Sequence, residues 1–288
     1  SITPEVKKWA DKELVLPNPE YAKKERMGYW VGNTPKKLTL YEQNGFDLIL
    51  PFGVLREIWP LLREDEVETD FADHYYVAYS ENPLPLYDYQ EEALNAMVSA
   101  RFGILQSPAG SGKTQIGIAL IQQWNAPALW LCHTADLLRQ SRERAERYMS
   151  RNLIGTITEG KINIGRGVTF ATVQTMCNID LDRYRHQWGV IIVDEAHNVK
   201  NPKAKRTANV LLLVQRSANV LYMTGTPLEN KLQEMRFLIE SIDHAAGIKL
   251  KGIPDVMSAE FKKTIAGGYW RRNREDVLGE LPELIETQ

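Results

Sequence analysis

Ser107-Pro108-Ala109-Gly110-Ser111-Gly112-Lys113-Thr114 stands between a short apolar run, Arg101-Phe102-Gly103-Ile104-Leu105, and an apolar helical pattern from Ile116 to Trp124. Strand, glycine-rich loop and helix in that order are the context a phosphate-binding loop requires. Glycines let successive backbone N–H groups turn inward around phosphate oxygens, and the N-terminus of the next helix adds positive potential. In such a loop Pro108, Ala109, Gly110, Ser111, Gly112, Lys113 and Thr114 would enclose the phosphates of a nucleotide. Lys113 would reach the β- and γ-phosphates, and Thr114 would place its hydroxyl on Mg²⁺. Ser107 occupies the position where the general pattern has its first glycine.

Downstream, the apolar runs Ala128-Leu129-Trp130-Leu131-Cys132, Gly167-Val168-Thr169-Phe170-Ala171, Val190-Ile191-Ile192-Val193 and Val220-Leu221-Tyr222-Met223 alternate with helical patterns. Near-continuous apolar strands separated by helices predict an α/β fold, a parallel sheet covered by helices on both faces. Asp194-Glu195-Ala196-His197 follows the third of these runs, at a strand's carboxyl end, where such sheets place ligands. Asp194 would hold Mg²⁺, directly or through water, and Glu195 would orient and polarise an attacking water. Taken alone, the acidic pair also suits a solvated loop.

Residues before the loop read differently. Leu38-Thr39-Leu40-Tyr41 and Phe46-Asp47-Leu48-Ile49-Leu50 flank Glu42-Gln43-Asn44-Gly45, a hairpin signal. Val54, Leu55, Ile58, Leu61 and Leu62 fall at helical spacing, and Tyr75-Tyr76-Val77-Ala78-Tyr79 reads as a strand. The prolines of Asn82-Pro83-Leu84-Pro85 interrupt regular structure. A small α+β accessory module over 1–80, followed by a larger nucleotide-binding domain over 81–288, is the expected organisation.

Composition sets limits. The 288 residues are 43% hydrophobic and 25% charged, as in an ordinary globular protein. No apolar run approaches the roughly 20 residues a membrane span needs. Ser1-Ile2-Thr3-Pro4 opens a polar stretch without a leader, and the missing initiator Met suggests a trimmed chain. Cys132 and Cys177 lack metal-ligand spacing, which favours a reducing cytoplasm. With a net charge of -2, any nucleic-acid site is a local patch.

From 86 to 227 the chain resembles superfamily 2 helicases and translocases, whose motor is built from RecA-like lobes. Leu86-Tyr87-Asp88-Tyr89-Gln90 is similar to the family's Q-motif, which implies that Gln90 bonds the adenine edge of ATP; Tyr87 stands where the family often has a basic residue. Leu131-Cys132-His133-Thr134, continuing to Leu137-Leu138-Arg139-Gln140, resembles motif Ia. Phe170-Ala171-Thr172-Val173-Gln174-Thr175 resembles motif Ib. The resemblance implies that Thr134, Arg139, Thr172, Gln174 and Thr175 line the nucleic-acid path, although Thr134 and Thr172 also suit ordinary helix caps. Thr224-Gly225-Thr226-Pro227 is similar to motif III, which implies that Thr224 and Thr226 couple hydrolysis to movement.

Within that superfamily, Glu195 to Pro202 and Tyr269-Trp270-Arg271-Arg272-Asn273-Arg274-Glu275-Asp276-Val277 are similar to the SWI/SNF-type branch, whose members track along duplex DNA. Residues 18–41 look like the small module preceding the motor in phage-type helicases. The resemblance implies an ATP- and Mg²⁺-dependent DNA translocase in a bacterial or phage-infected cell. An RNA helicase and a non-hydrolysing DNA-binding scaffold are the alternatives; intact Lys113, Thr114, Asp194 and Glu195 argue against the scaffold. Lys200, Lys203, Lys205 and Arg206 could touch DNA phosphates or form a solvated charged loop, and Arg271 and Arg272 read the same two ways. About sixty residues follow motif III, too few for the C-terminal RecA-like lobe that supplies arginine fingers in such motors, so that partner lobe is expected to be absent and hydrolysis weak.

Overall fold

The computed structural model describes residues 3–32, 34–39, 41–45, 47–50, 58–62, 76–79, 84–158, 160–184, 187–199, 204–215, 217–226, 232–254 and 256–273. The chain divides into two compact units, Ser1–Asp70 with Asp243–Pro254, and Phe71–Ile242 with Asp255–Gln288. The division therefore falls ten residues earlier than the expected 80/81 boundary, and the smaller unit also takes in a late segment.

The smaller unit opens with α1 (Pro4–Glu13), capped by the Thr3 side chain, which accepts from the Val6 N–H, with Pro4 in the first turn. Its Ala10 and the adjoining Leu14 pack with Ile248, and Trp9, Tyr41, Leu48 and Leu50 close around them. Strand β1 (Val15–Pro17) is followed by α2 (Pro19–Arg26), and then pairs antiparallel with β2 (Lys37–Thr39). Strands β3 (Glu42–Asn44) and β4 (Asp47–Ile49) form the expected hairpin, with Gly45 at φ +61°. The strands differ from those expected. Residues 37–39 pair with a distant segment, and 42–44, read as loop, form a strand. The turn signal marks the reversal but carries nothing about the long-range partner. Of the helix expected from Val54, only a 3₁₀ turn, Trp59–Leu61, lies within the described residues.

In the larger unit, Tyr76–Tyr79 is not the expected strand. It is held by Val77 N–H donating to the Asn125 carbonyl at 2.8 Å and by Tyr79 Oη–H donating to the Ala126 carbonyl at 2.8 Å. Val77 and Tyr79 are nonetheless buried in that unit's core, which explains the strand-like alternation. In chain order there follow α3 (Asp88–Ala100), β5 (Phe102–Gln106), α4 (Lys113–Trp124), β6 (Ala128–Cys132), α5 (Ala135–Ala145), β7 (Ile154–Thr158), β8 (Lys161–Asn163), β9 (Val168–Thr172), α6 (Val173–Met176), β10 (Val190–Val193), α7 (Lys205–Gln215), β11 (Asn219–Thr224) and α8 (Leu232–Ile242). The helix α9 (His244–Lys251) carries Ile248 of the smaller unit; α10 (Ala259–Ile265) and β12 (Tyr269–Arg271) complete the larger one.

Eight strands form one sheet in the order β12-β5-β11-β10-β6-β9-β7-β8, parallel throughout except for the antiparallel β7–β8 pair. This is the expected helix-flanked parallel sheet, and all five predicted strands are present. Strands β6 and β10 are buried along their whole length, as their unbroken apolar sequences require. Helix α4 lies close over them because Gly117 has no side chain: a Cβ there would stand 2.7 Å from Trp130 Cη2. Strands β7, β8 and β12 were not expected. β8 is exposed along its length, and β12 is half-buried and only three residues long, so neither leaves an apolar run.

Candidate active site

The candidate phosphate loop leaves β5 at Gln106. Gly110 (φ +85°) and Gly112 (φ +77°) both adopt the left-handed backbone that glycine tolerates without strain. Gly112 is the N-cap of α4, so Lys113 begins the helix and Thr114 stands half-buried in its first turn. The Ser111 hydroxyl donates to the Pro108 carbonyl at 2.8 Å and braces the turn. Lys113 Nζ donates to the Ser107 carbonyl at 3.0 Å and to the Pro108 carbonyl at 3.2 Å. Its pKa is pulled below the ordinary lysine value by burial, against the opposing attraction of Glu195 and Asp194.

Asp194 follows β10, and its backbone N–H donates to the Leu131 carbonyl at 2.8 Å. Strand order puts β11 between β5 and β10, so loop and acidic pair lie two strand spacings apart, about 10 Å. The Asp194 carboxyl is buried and accepts the Glu195 N–H at 3.0 Å. Burial, reinforced by the neighbouring Glu195 and opposed by Lys113, pushes its pKa up to about 6. Glu195 is non-glycine yet adopts φ +53°, ψ +51°, a conformation costing about 1–2 kcal/mol. Strain of this kind persists where the surroundings hold it, and functional sites are the usual place.

His197 joins the acidic turn to the end of β11. Its Nδ1 lies 3.1 Å from Glu195 Oε2, 3.2 Å from Thr224 Oγ1 and 3.4 Å from Thr226 Oγ1. An Nδ1–H donates to the carboxylate or a threonine oxygen, whereas an unprotonated Nδ1 accepts from a threonine hydroxyl. The protonation of that one nitrogen therefore sets which neighbour it holds. Thr224 is fully buried, and its Oγ1 also accepts the Thr226 N–H at 3.1 Å. Thr224 and Thr226, expected as a coupling pair, thus meet a residue, His197, to which the motifs assign no role. The signal for His197 was its place as the last residue of the acidic box.

Gln90 is buried, and its amide is engaged within the chain. Nε2 donates to the Ser111 carbonyl at 2.9 Å, and Oε1 accepts the Tyr87 N–H at 3.0 Å. Tyr89 Oη–H donates to the same Ser111 carbonyl at 2.9 Å. The adenine contact implied for Gln90 is therefore not presented at the surface; Gln90 ties α3 to the phosphate loop. Tyr87 stacks parallel on Tyr89, with centroids 5.9 Å apart, and is the exposed member of the pair.

The residues assigned to a nucleic-acid path lie at the carboxyl ends of β6 and β9, along the same sheet edge as Asp194. Thr134 caps α5, accepting from the Leu137 N–H, and Thr172 caps α6, accepting from the Thr175 N–H. The Thr172 and Thr175 hydroxyls share a hydrogen bond of 2.8 Å, and Gln174 is exposed. Arg139 is exposed and pairs with Glu143 at 3.2 Å and with Asp136 at 3.9 Å, exchanges that cost at most about 1 kcal/mol to break. Of the basic cluster, Lys200 and Lys203 lie outside the described residues, Lys205 begins α7, and Arg206 is exposed. Arg272 pairs with Glu92 and lies 5.1 Å from the Trp270 ring centroid, and its N–H donates to the Gln106 carbonyl at 2.9 Å. Those contacts anchor β12 beside the phosphate loop.

The profile of a family described as Type III restriction enzyme, res subunit, matches residues 83–229. The DNA 3'-5' translocase XPB2 of Sulfurisphaera tokodaii is 28% identical over 139 residues, covering 48% of this chain and 31% of that protein. The DNA 3'-5' helicase XPB of Mycobacterium tuberculosis is 31% identical over 134 residues, covering 43% of this chain and 24% of that protein. The chain thus spans less than a third of the length of these relatives. Among solved structures, the Sulfolobus solfataricus SWI2/SNF2 ATPase core in complex with dsDNA aligns with a TM-score of 0.56 and 23% identity, over 74% of this chain and 49% of that one. That likeness is one of fold, that of a RecA-like lobe.

Proposed function

The chain belongs to the family described as Type III restriction enzyme, res subunit, and on that footing we propose that it carries the N-terminal, nucleotide-binding lobe of an ATP-dependent DNA translocase or helicase. The observation that supports this best is convergence at one sheet edge. Lys113 in the phosphate loop lies close enough to Asp194 and Glu195 to be influenced by both charges, and His197 links Glu195 to Thr224. A structural loop has no need of a buried carboxylate with a raised pKa beside a strained glutamate.

In this reading Lys113 leaves the Ser107 and Pro108 carbonyls to meet the β- and γ-phosphates of ATP. Asp194 and the Thr114 hydroxyl would hold Mg²⁺. The donor set fits, since Mg²⁺ takes one or two protein oxygens and completes its shell with phosphate and water. The bound ion would neutralise charge on the transferred phosphoryl group. Glu195, fixed by its left-handed backbone and by His197, would orient the attacking water. Tyr87, exposed beside the loop, is the better placed residue for an adenine ring, while Gln90 fixes the loop from behind.

The DNA-directed names of the relatives support DNA over RNA as the track, with duplex favoured and the edge from Thr134 and Arg139 to Thr172, Gln174 and Thr175 as its path. A second RecA-like lobe is the proposed partner, supplying arginine fingers worth about 10³–10⁵ in rate in related systems; without it turnover is weak. ATP binding and hydrolysis measured without nucleic acid and with duplex DNA, single-stranded DNA and RNA test the reading, with Lys113→Ala and Glu195→Gln as controls. Binding lost in Lys113→Ala and turnover raised most by duplex DNA are expected. Nucleotide binding indifferent to Lys113, or stimulation by RNA alone, would overturn it.

A further inference from the structure

Helix α2 of the smaller unit ends at a tip that, among the described residues, packs into no core. The Gly28 N–H donates to the Glu25 carbonyl at 3.1 Å and the Tyr29 N–H to the Lys24 carbonyl at 2.9 Å, with Gly28 at φ +68°. This is the double hydrogen bond of a Schellman termination, in which the residue after the glycine ordinarily packs back on an apolar side chain of the last turn. Here that side chain is Lys24, whose Nζ donates to Thr34 Oγ1 at 2.8 Å. Tyr29 is left 65% exposed and Trp30 87% exposed, with Met27 at 50% beside them.

Aromatic side chains of this size bury about 150–250 Å² each when packed, so two in succession held out in water point to a ligand with flat apolar faces. The surroundings specify its charge. Residues 19–37 hold five basic side chains, Lys23, Lys24, Arg26, Lys36 and Lys37, against Glu20 and Glu25. That local net charge of +3 contrasts with -2 for the whole chain. Lys23, Arg26, Lys36 and Lys37 are exposed. The tip is also shaped. Trp30's six-membered ring lies over Gly32 (φ +51°), where a Cβ would stand 2.9 Å from Cζ3, so the ring is backed by bare backbone.

We propose that Tyr29 and Trp30 form a base-stacking site for single-stranded DNA, with the surrounding lysines and arginine meeting its phosphates. Adjacent aromatic faces flanked by positive charge are how sequence-tolerant single-strand binders work; bases inside a duplex have no free faces to offer. The choice of DNA over RNA rests on the proposed function, whereas the stacking mode does not.

The test is fluorescence anisotropy of the full 288-residue chain titrated without nucleotide onto a labelled oligothymidylate of roughly 15 nucleotides, about one site size, and onto an abasic strand of the same length. Because nucleotide is left out, the result stands whether or not the phosphate loop takes ATP. Trp30→Ala should raise Kd for oligothymidylate by about five- to 140-fold, the range expected for one lost stacking partner. It should leave the abasic strand's weaker binding unchanged, and Trp30→Phe should restore most of the affinity. Circular dichroism should be unaltered, since the side chain supports no core. Unchanged oligothymidylate affinity in Trp30→Ala would overturn the proposal and leave the tip to a protein partner. Equal losses on both strands would overturn stacking in favour of charge alone.

Discussion

Gly112→Ala and Gly110→Ala change the same loop by the same methyl group and should differ several-fold in consequence. Both glycines have positive φ, +77° and +85°, so each alanine bears the left-handed penalty of about 1–2 kcal/mol. Space around them differs. A Cβ on Gly110 meets nothing within 4 Å, whereas a Cβ on Gly112 would stand 2.2 Å from Gln90 Nε2. Gln90 is buried and cannot swing into water, so its amide must leave the Ser111 carbonyl and the Tyr87 N–H. Two buried hydrogen bonds lost at about 1–2 kcal/mol each add about 2–4 kcal/mol. Gly112→Ala should therefore destabilise by about 3–6 kcal/mol and Gly110→Ala by about 1–2 kcal/mol. Urea denaturation of the single variants, and of Gly112→Ala in a Gln90→Ala background, forms a double-mutant cycle. With Gln90 truncated the cost of Gly112→Ala should fall to about 1–2 kcal/mol, the backbone penalty alone. Equal destabilisation by the two alanines, or no recovery in the Gln90→Ala background, would refute the reasoning that Gln90 locks the loop from behind.

Gly117→Ala should lower stability by about 1 kcal/mol despite alanine's better helix propensity, because the Cβ meets Trp130 and Met223; a smaller loss in a Trp130→Phe background would confirm the contact by its chemical-denaturation midpoint. Asp194, raised by burial to about 6, favours the folded state most below the ordinary carboxylate pKa and loses that contribution as pH climbs from about 4 through 6. Asp194→Asn should accordingly gain about 1–3 kcal/mol at pH 7 and flatten the pH dependence of unfolding over that window. Thr224→Val removes the acceptor of the Thr226 N–H and a partner of His197. It should cost about 1–2 kcal/mol in thermal unfolding and reduce DNA stimulation of ATP turnover more than nucleotide affinity.

What the amino-acid sequence determined by itself was whatever depends on contiguous residues. The tight turn proposed as the phosphate loop is legible because its backbone demands Gly110 and Gly112 between a strand and a helix, and the acidic pair because Asp194-Glu195 directly follows an unbroken apolar strand. The five fully apolar or nearly apolar strands, and with them the parallel sheet and the superfamily resemblance, come from the same local logic. Pairing over distance decided the rest. Lys37–Thr39 found Val15–Pro17 rather than its near neighbours, and Tyr76–Tyr79 alternates in burial without joining a ladder. β12 becomes an edge of the sheet through Gly268, whose carbonyl accepts the Ile104 N–H, and through Tyr269, whose hydroxyl donates to Gln106. His197 reaches Thr224, and Gln90 turns to Ser111 instead of outward. Apolar periodicity reports that a side chain is buried but not against what. A polar group's partner is settled only when the folded chain brings donor and acceptor within hydrogen-bond reach of each other and withdraws the water that would otherwise serve both.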